Sequence, residues 1–412
     1  MTLNRRTFLS LLGTAVVAPR LLRAQSPGPG RTALYASVGA TLTHYDLDVD
    51  AATLTPRGEV RLPAAVQYVW PHASRRFLYV ASSGPTARGG PAHFLNAFRI
   101  DPAGELTPHG NAVPLPTRPI NLCSDIPSGH LLVAFNDPSA IRVYAVNPDG
   151  TPGAEVAQRE PIDAGIYAHQ VRVSPDNRLA ILVTRGNNAS ATRPEDPGAL
   201  KVFRYENGQL TRETSIAPGH GFGFGPRHLD FHPTQPWIYV SRERENLLSF
   251  FRRDGDRLSA EPVVSQPTLA APSRTGQQAG TVHVHPNGRF VYGVNRLDLA
   301  AATAGTPLPS SGENSLVVFA LDPKSGEPTP IQHIDTQGIH DRTFHIDPTG
   351  RLLVTAHLRT LDVKDGNAVR HVPAGFTVFR IGPDGRLEYV RKYDLEIGRE
   401  QLFWMGMVPL PA

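Results

Sequence analysis

A single cysteine, Cys123, in 412 residues excludes an intrachain disulfide and any metal centre built from several thiolates. Beyond the N-terminus no apolar run is long enough to cross a bilayer as a helix. Segments with the three-to-four-residue apolar period of amphipathic helices are almost missing, which leaves short strands to build the fold. Acidic residues are absent from positions 1–24, where Asn4-Arg5-Arg6-Thr7-Phe8-Leu9 is followed by the apolar Leu11 to Ala18 and by Arg20 and Arg23 before Ala24. That order is a twin-arginine export signal, too short to stay in the membrane as an anchor. The expectation is cleavage of residues 1–24, a short linker at 25–29, and one domain over 30–412 exported in a folded state to the periplasm. The four arginines of the signal account for the whole formal charge of +4, so the mature chain is neutral. It therefore carries no electrostatic footprint for nucleic acid or an anionic membrane surface, and no membrane insertion is expected once the signal is gone.

What the chain has in quantity is proline (39) and glycine (37), spread along its length in the manner of turns. Between these turns lie seven strand pairs, each an apolar, β-branched or aromatic run followed by an alternating one. They begin near Leu34, Phe77, Leu131, Leu179, Trp237, Phe290 and Leu352. Turn signals such as Asn147-Pro148-Asp149-Gly150, Asp322-Pro323 and Gly382-Pro383-Asp384-Gly385 follow most second strands, and third strands follow, as at Leu106 to Leu115 and Leu387 to Leu395. Four strands recurring at roughly 45 to 60 residues predict an all-β, seven-bladed propeller. The first unit starts at its second strand, Thr32 to Val38, and a spare strand, Gln401 to Val408, ends the chain. Pairing of that C-terminal strand into the first blade closes the ring and removes an open inner edge.

Numbered from the turn proline of each repeat, or Ala73 in the second, two positions are persistently polar. Six residues before the turn stand Gln67, Asn121, His169, Arg227, Gly280 and Arg342; ten after it stand Ser83, Asp137, Arg185, Glu243, Arg296 and Leu358. Innermost and second strands run antiparallel, so both sets surround one mouth of the central channel. The inserts Asn187–Gly198, Leu299–Glu313 and Arg359–Gly375 fall at that mouth, as does the glycine-rich Gly219–Gly225; inserts of such length are commonly functional rims. Guanidinium groups, an imidazole and a carboxylate around an apolar-walled mouth make a site for a small anionic or carbonyl-bearing ligand. Gln67, Asn121 and Asp137 serve equally well as channel filler. His283 and His285 stand two apart on a strand with no third ligand in view, so no metal site is assigned to them. Asn188-Ala189-Ser190 fits a glycosylation pattern that arises readily by chance.

The motif-bearing residues are Ala168-His169-Gln170 before Ser174-Pro175-Asp176, Gly225-Pro226-Arg227-His228 before His232-Pro233, and Glu243 after Tyr239. His285-Pro286-Asn287-Gly288-Arg289-Phe290 runs through to Asn295-Arg296, and Arg342 precedes Asp347-Pro348. Together they resemble the seven-bladed propeller lactonases, a family that includes propeller-type 6-phosphogluconolactonases and fungal 3-carboxy-cis,cis-muconate cyclases. The resemblance extends over nearly the whole mature chain. It implies that His169, Arg227, Glu243 and Arg296 are catalytic; the polar positions around the mouth add Arg342, Gln67, Asn121, Arg185 and His228 as expected substrate-binding neighbours.

The chemistry expected from these residues is hydrolysis of a sugar-type lactone, such as gluconolactone or its 6-phosphate, without a metal or other cofactor. Arginines hold the substrate's anionic group and the oxyanion formed at the ring carbonyl. Glu243 or His169 takes the proton of the attacking water and the other protonates the leaving ring oxygen. A calcium-dependent scheme is disfavoured because the rings hold one carboxylate besides Asp137, too few oxygen ligands for a hard cation. The alternatives are a muconate-type lactonising cycloisomerase and a non-catalytic extracytoplasmic propeller that binds a ligand or protein through its rim. The mature protein is expected to be a monomer whose partner is a small-molecule lactone.

Overall fold

The computed structural model describes residues 31–84, 92–271, 276–299 and 312–410. The expected signal at 1–24 and the expected linker at 25–29 lie outside the described residues. Seven antiparallel sheets follow one another around a ring, each running from an innermost strand at the channel to an outer edge strand. The innermost strands of blades 2 to 7 are Ala65–Pro71, Pro119–Ser124, Ala168–Val173, Pro226–Phe231, Gln277–Val284 and Asp341–Ile346. In blade 1 that place belongs to Leu402–Pro409, which pairs with Thr32–Val38 from Thr32↔Pro409 to Val38↔Leu402. The ring is thus closed by the last strand of the chain, as the spare C-terminal strand predicts.

Alternating runs fold this way because both faces of each sheet are covered by the neighbouring blades. The apolar residues collect into seven clusters, one at every blade-to-blade contact, with the closing strand contributing Trp404 and Val408 to one and Leu402, Met405 and Met407 to the next. A smaller cluster of Leu297, Ile339, Val363 and Val372 seats the hairpin Leu361–Asp365/Ala368–Val372 of the seventh-blade insert against the rim.

A recurring tie supplements the apolar contacts. Tyr35, Tyr79, Tyr239 and Tyr292 each donate their hydroxyl to a glycine carbonyl in the outer turn of the next blade, at Gly104, Gly150, Gly326 and Gly385, over 2.7–3.0 Å. Gly326 illustrates why the turn demands glycine: its φ is +79°, and a Cβ would stand 2.6 Å from the Trp237 ring that packs on it. Tyr239→Phe keeps the ring and removes the donor, leaving the buried Gly326 carbonyl without it. We expect a loss of about 1 kcal/mol in unfolding free energy, read by urea denaturation.

Candidate active site

Six innermost strands share an irregularity at the level of the polar ring. In each, the ladder to the second strand skips a residue: Gln67, Ile120, His169, Arg227 and Arg342 singly, and Gly280–Thr281 as a pair. Such a bulge takes its residue out of the strict in-and-out alternation and re-aims its side chain. Gln67, Ile120, His169, Arg227, Thr281 and Arg342 accordingly line a cavity of about 400 Å³ in the channel. In blade 3 the bulge falls one residue earlier than the count from the turn suggests. Asn121 stays in the ladder opposite Ala134, and its buried amide oxygen accepts the Val171 N–H at 3.1 Å, tying two blades together. In blade 6 Gly280 has no room for a side chain, since a Cβ would meet Val294 at 2.5 Å, and Thr281 reaches the cavity instead.

Glu243, the residue after the second strand of blade 5, lies behind this ring and is 2% exposed. Its Oε1 is 3.0 Å from Arg227 Nε and 2.5 Å from Arg296 Nη2, and its Oε2 accepts from Arg185 Nη1 at 2.6 Å. The two rings therefore meet as one cage of three guanidiniums on one carboxylate. Burial pushes the Glu243 carboxyl up, but the charges of Arg296, Arg185 and Arg227 overrule it and hold the group well below the usual carboxylate range. Each cation has a second brace. Arg185 lies 4.2 Å over the Tyr167 ring, and Arg296 Nη1 is 3.3 Å from His340 Nε2, whose Nδ1 donates to the Leu297 carbonyl at 2.6 Å. Arg227 Nη1 lies 3.3 Å from Nδ1 of His228.

Arg342 is different. Its Nε donates to the Phe403 carbonyl at 3.1 Å and its guanidinium lies 3.7 Å over the Phe403 ring, but among the described residues it pairs with no carboxylate. It is the cation of the cavity most available to an incoming anion. Gln67 lines the same wall and accepts from Arg118 Nε at 2.8 Å. His169 is buried, and its Nδ1 has no protein partner among the described residues. Burial, then Arg227, Arg342, Arg185 and Arg296, push its pKa well below the ordinary value, so the imidazole is neutral at pH 7. His228, with its ring centroid 5.2 Å from that of His169, is held neutral by burial and by Arg227.

A match to the family model "Lactonase, 7-bladed beta-propeller" over residues 32–364 decides the affiliation. The chain belongs to the seven-bladed β-propeller lactonase family. It is 26% identical over 308 residues to a 6-phosphogluconolactonase of Serratia proteamaculans, covering 74% of this chain and 82% of that one. It is 27% identical over 327 residues to a 6-phosphogluconolactonase of Bacillus subtilis, covering 77% and 84%. Among solved structures, the Pseudomonas aeruginosa periplasmic gluconolactonase superposes with a TM-score of 0.71 at 20% identity, over 92% of this chain and all of the other, which establishes likeness of fold.

Within this lactonase the structure brings His169, Arg227, His228, Arg342 and Gln67 to one cavity, and Glu243, Arg185 and Arg296 directly behind Arg227. Asn121, Ser83 and Asp137 are not among the cavity's lining residues. His285 is a blade staple, with a ring nitrogen 2.8 Å from the Gly350 carbonyl, whereas its neighbour two residues back, His283, lines the cavity. The count from the turn overlooks a second tier, three residues before it: Trp70, Arg172, Asp230, His283 and His345. The signal was present, since these positions share the strand face opposite the apolar residues two and four before the turn, and four of the five side chains titrate or are charged.

Proposed function

We propose that this chain hydrolyses a sugar-type lactone of the gluconolactone or 6-phosphogluconolactone kind without a metal. Membership of the lactonase family makes it a carboxylic ester hydrolase of lactones. The observation that carries the proposal is the pair Arg227 and Arg342, on the wall of a cavity sized for one small ligand, with a neutral His169 beside them in the lining. Guanidiniums fixed before substrate arrives stabilise the oxyanion of a carbonyl addition with little reorganisation. In this reading Glu243 is a positioning residue and not a proton acceptor, because both its oxygens are engaged and a carboxylate held so far down is a weak base. His169 is a hydrogen-bonding partner for the substrate, since an imidazolium there would face four arginines.

Metal independence is supported by the donor set: among the described residues no three His, Cys, Asp or Glu side chains converge on a possible ion site. Export through the twin-arginine signal, action in the periplasm and a monomeric state complete the proposal. The excess of guanidinium over carboxylate also favours an acid as substrate, which keeps muconate lactonisation as the second reading; product analysis on a muconate separates the two.

The test is turnover by the purified mature chain on gluconolactone, its 6-phosphate and a simple aliphatic lactone, with and without chelator and beside Arg342→Ala. We expect turnover that survives the chelator, with the variant weakened by roughly 10- to 100-fold in kcat/KM on the anionic member. A wild type that opens none of the three defeats the lactonase reading, and a thermal-shift screen for ligands of a non-catalytic propeller becomes the next step.

A further inference from the structure

The arginine cage leaves one requirement of the reaction unmet, a group that can take a proton from water. The second tier of the channel supplies a candidate. Asp230 and His283 stand three residues before the turn prolines of blades 5 and 6 and line the same cavity as Arg227, Arg342 and His169. Asp230 Oδ1 accepts from Arg172 Nη2 and from the Phe231 N–H, each at 3.0 Å; Oδ2 accepts the Val284 N–H at 2.9 Å and lies 3.5 Å from His283 Nδ1. Arg172 is braced in turn over the Trp70 ring at 5.3 Å. The His283 ring meets Phe344 edge-on at 5.0 Å, and the His345 ring lies 5.4 Å away. A carboxylate fixed on three sides and an imidazole enclosed by two rings form a preset pair. With Nδ1 turned to Asp230, Nε2 keeps its lone pair and has no protein partner among the described residues.

We infer that His283, oriented by Asp230, is the catalytic base of the lactonase proposed above, an assignment that rests on that reading. The water oxygen bonds to the lactone carbonyl carbon while its proton passes to His283 Nε2. The carbonyl electron pair moves onto oxygen, where Arg227 and Arg342 hold it. Collapse of the oxyanion breaks the ring C–O bond, and the departing ring oxygen takes the proton back from Nε2. The products are a hydroxy acid and a neutral imidazole, so protons and charge balance.

Two physical arguments favour His283 over the other imidazoles. A carboxylate behind Nδ1 stabilises the imidazolium that forms when Nε2 accepts a proton. Burial raises the Asp230 carboxyl, but Arg172 and His283 bring it down to about 2, so that charge is in place at neutral pH. His169 and His228 have guanidiniums as their charged neighbours and resist the same step. Spacing agrees as well. Two residues of strand separate the tier of His228 and Thr281 from that of His283, roughly 7 Å, which accommodates a water hydrogen-bonded to Nε2 and a carbonyl carbon about 3 Å beyond it.

The experiment compares the full mature chain with His283→Gln and His283→Ala on whichever lactone the wild type opens, with melting temperatures measured alongside. We expect His283→Gln to melt near the wild type, to lose roughly 10²- to 10⁴-fold in kcat, and to keep KM within a few-fold. Added imidazole should restore part of the His283→Ala rate above the buffer-catalysed background, a response that a packing role would not give. A wild type that turns over beside a His283→Gln variant of nearly equal kcat overturns the base assignment and leaves the lactonase reading standing. A wild type that opens no lactone removes both.

Discussion

Glu243→Ala is expected to lower the stability of the propeller by about 3–5 kcal/mol, the usual loss when one member of a buried ion cluster is removed and its partners stay behind. Here the residue left uncompensated is not one cation but three, Arg185, Arg227 and Arg296, of which Arg227 and Arg296 are almost wholly buried. Activity should fall with stability, because Arg227 would no longer be held against the cavity wall. Glu243→Gln separates positioning from proton transfer. The amide keeps the shape but not the charge, so stability falls in either case; a positioning role predicts a rate loss that follows the loss of stability, whereas a base would lose rate by roughly 10²-fold or more beyond it. Urea denaturation beside lactone turnover reads the difference. Acid titration gives a second check. The folded Glu243 carboxyl sits below its ordinary value, so its contribution is complete above about pH 4 and is lost as pH falls toward the folded value. Asp230, held at about 2, adds a loss of the same sign between about pH 4 and 2. The wild type should therefore weaken steadily below about pH 4, and the Gln variant should show a shallower decline.

The strand pattern carried the architecture because each blade obeys a period of two that survives in the letters: Phe77, Tyr79 and Ala81 pack toward blade 3, while Leu78 and Val80 pack toward blade 1. Ring closure was legible for a related reason, since an unpaired inner position in the first repeat and a surplus strand at the end admit one economical solution. The site was harder to read, because bulges break the period that made the blades readable. The position six before the turn coincides with the cavity lining at Gln67, His169, Arg227 and Arg342 but not at Asn121, where the ladder skips Ile120 instead. The convergence of Arg185, Arg227 and Arg296 on Glu243 is a matter of ångströms between blades 4, 5 and 6 and is invisible in one dimension. Asp230 and His283 stand on different blades, so a carboxylate beside an imidazole leaves no local spacing in the sequence.

Deleting residues 401–412 should abolish the cooperative fold, although it removes a single strand. Leu402, Trp404, Met405, Met407 and Val408 are each less than a tenth exposed and belong to the clusters on both sides of blade 1. At about 1.5–3 kcal/mol for each large side chain withdrawn from water, their loss amounts to roughly 8–15 kcal/mol, as much as the whole net stability of an ordinary domain. The backbone loss compounds it, because Thr32–Val38 would face the channel as an unpaired edge along its full length. The site would go as well, since Phe403 supplies both the carbonyl and the ring that hold Arg342. Removing residues 1–24, the proposed export signal, is the matched control and is expected to leave the melting transition in place. The measurement is a circular-dichroism melt of both truncations, followed by addition of a synthetic peptide of residues 401–412 to the C-terminal one. Recovery of a sharp transition and of turnover with the peptide would show that the ring is held at this one seam. A C-terminal truncation that melts sharply within a few degrees of the wild type would mean instead that what is left of the two contacts flanking blade 1 holds that blade without its inner strand. In that case the burial of Trp404 and its neighbours stabilises the closed ring far less than their area implies.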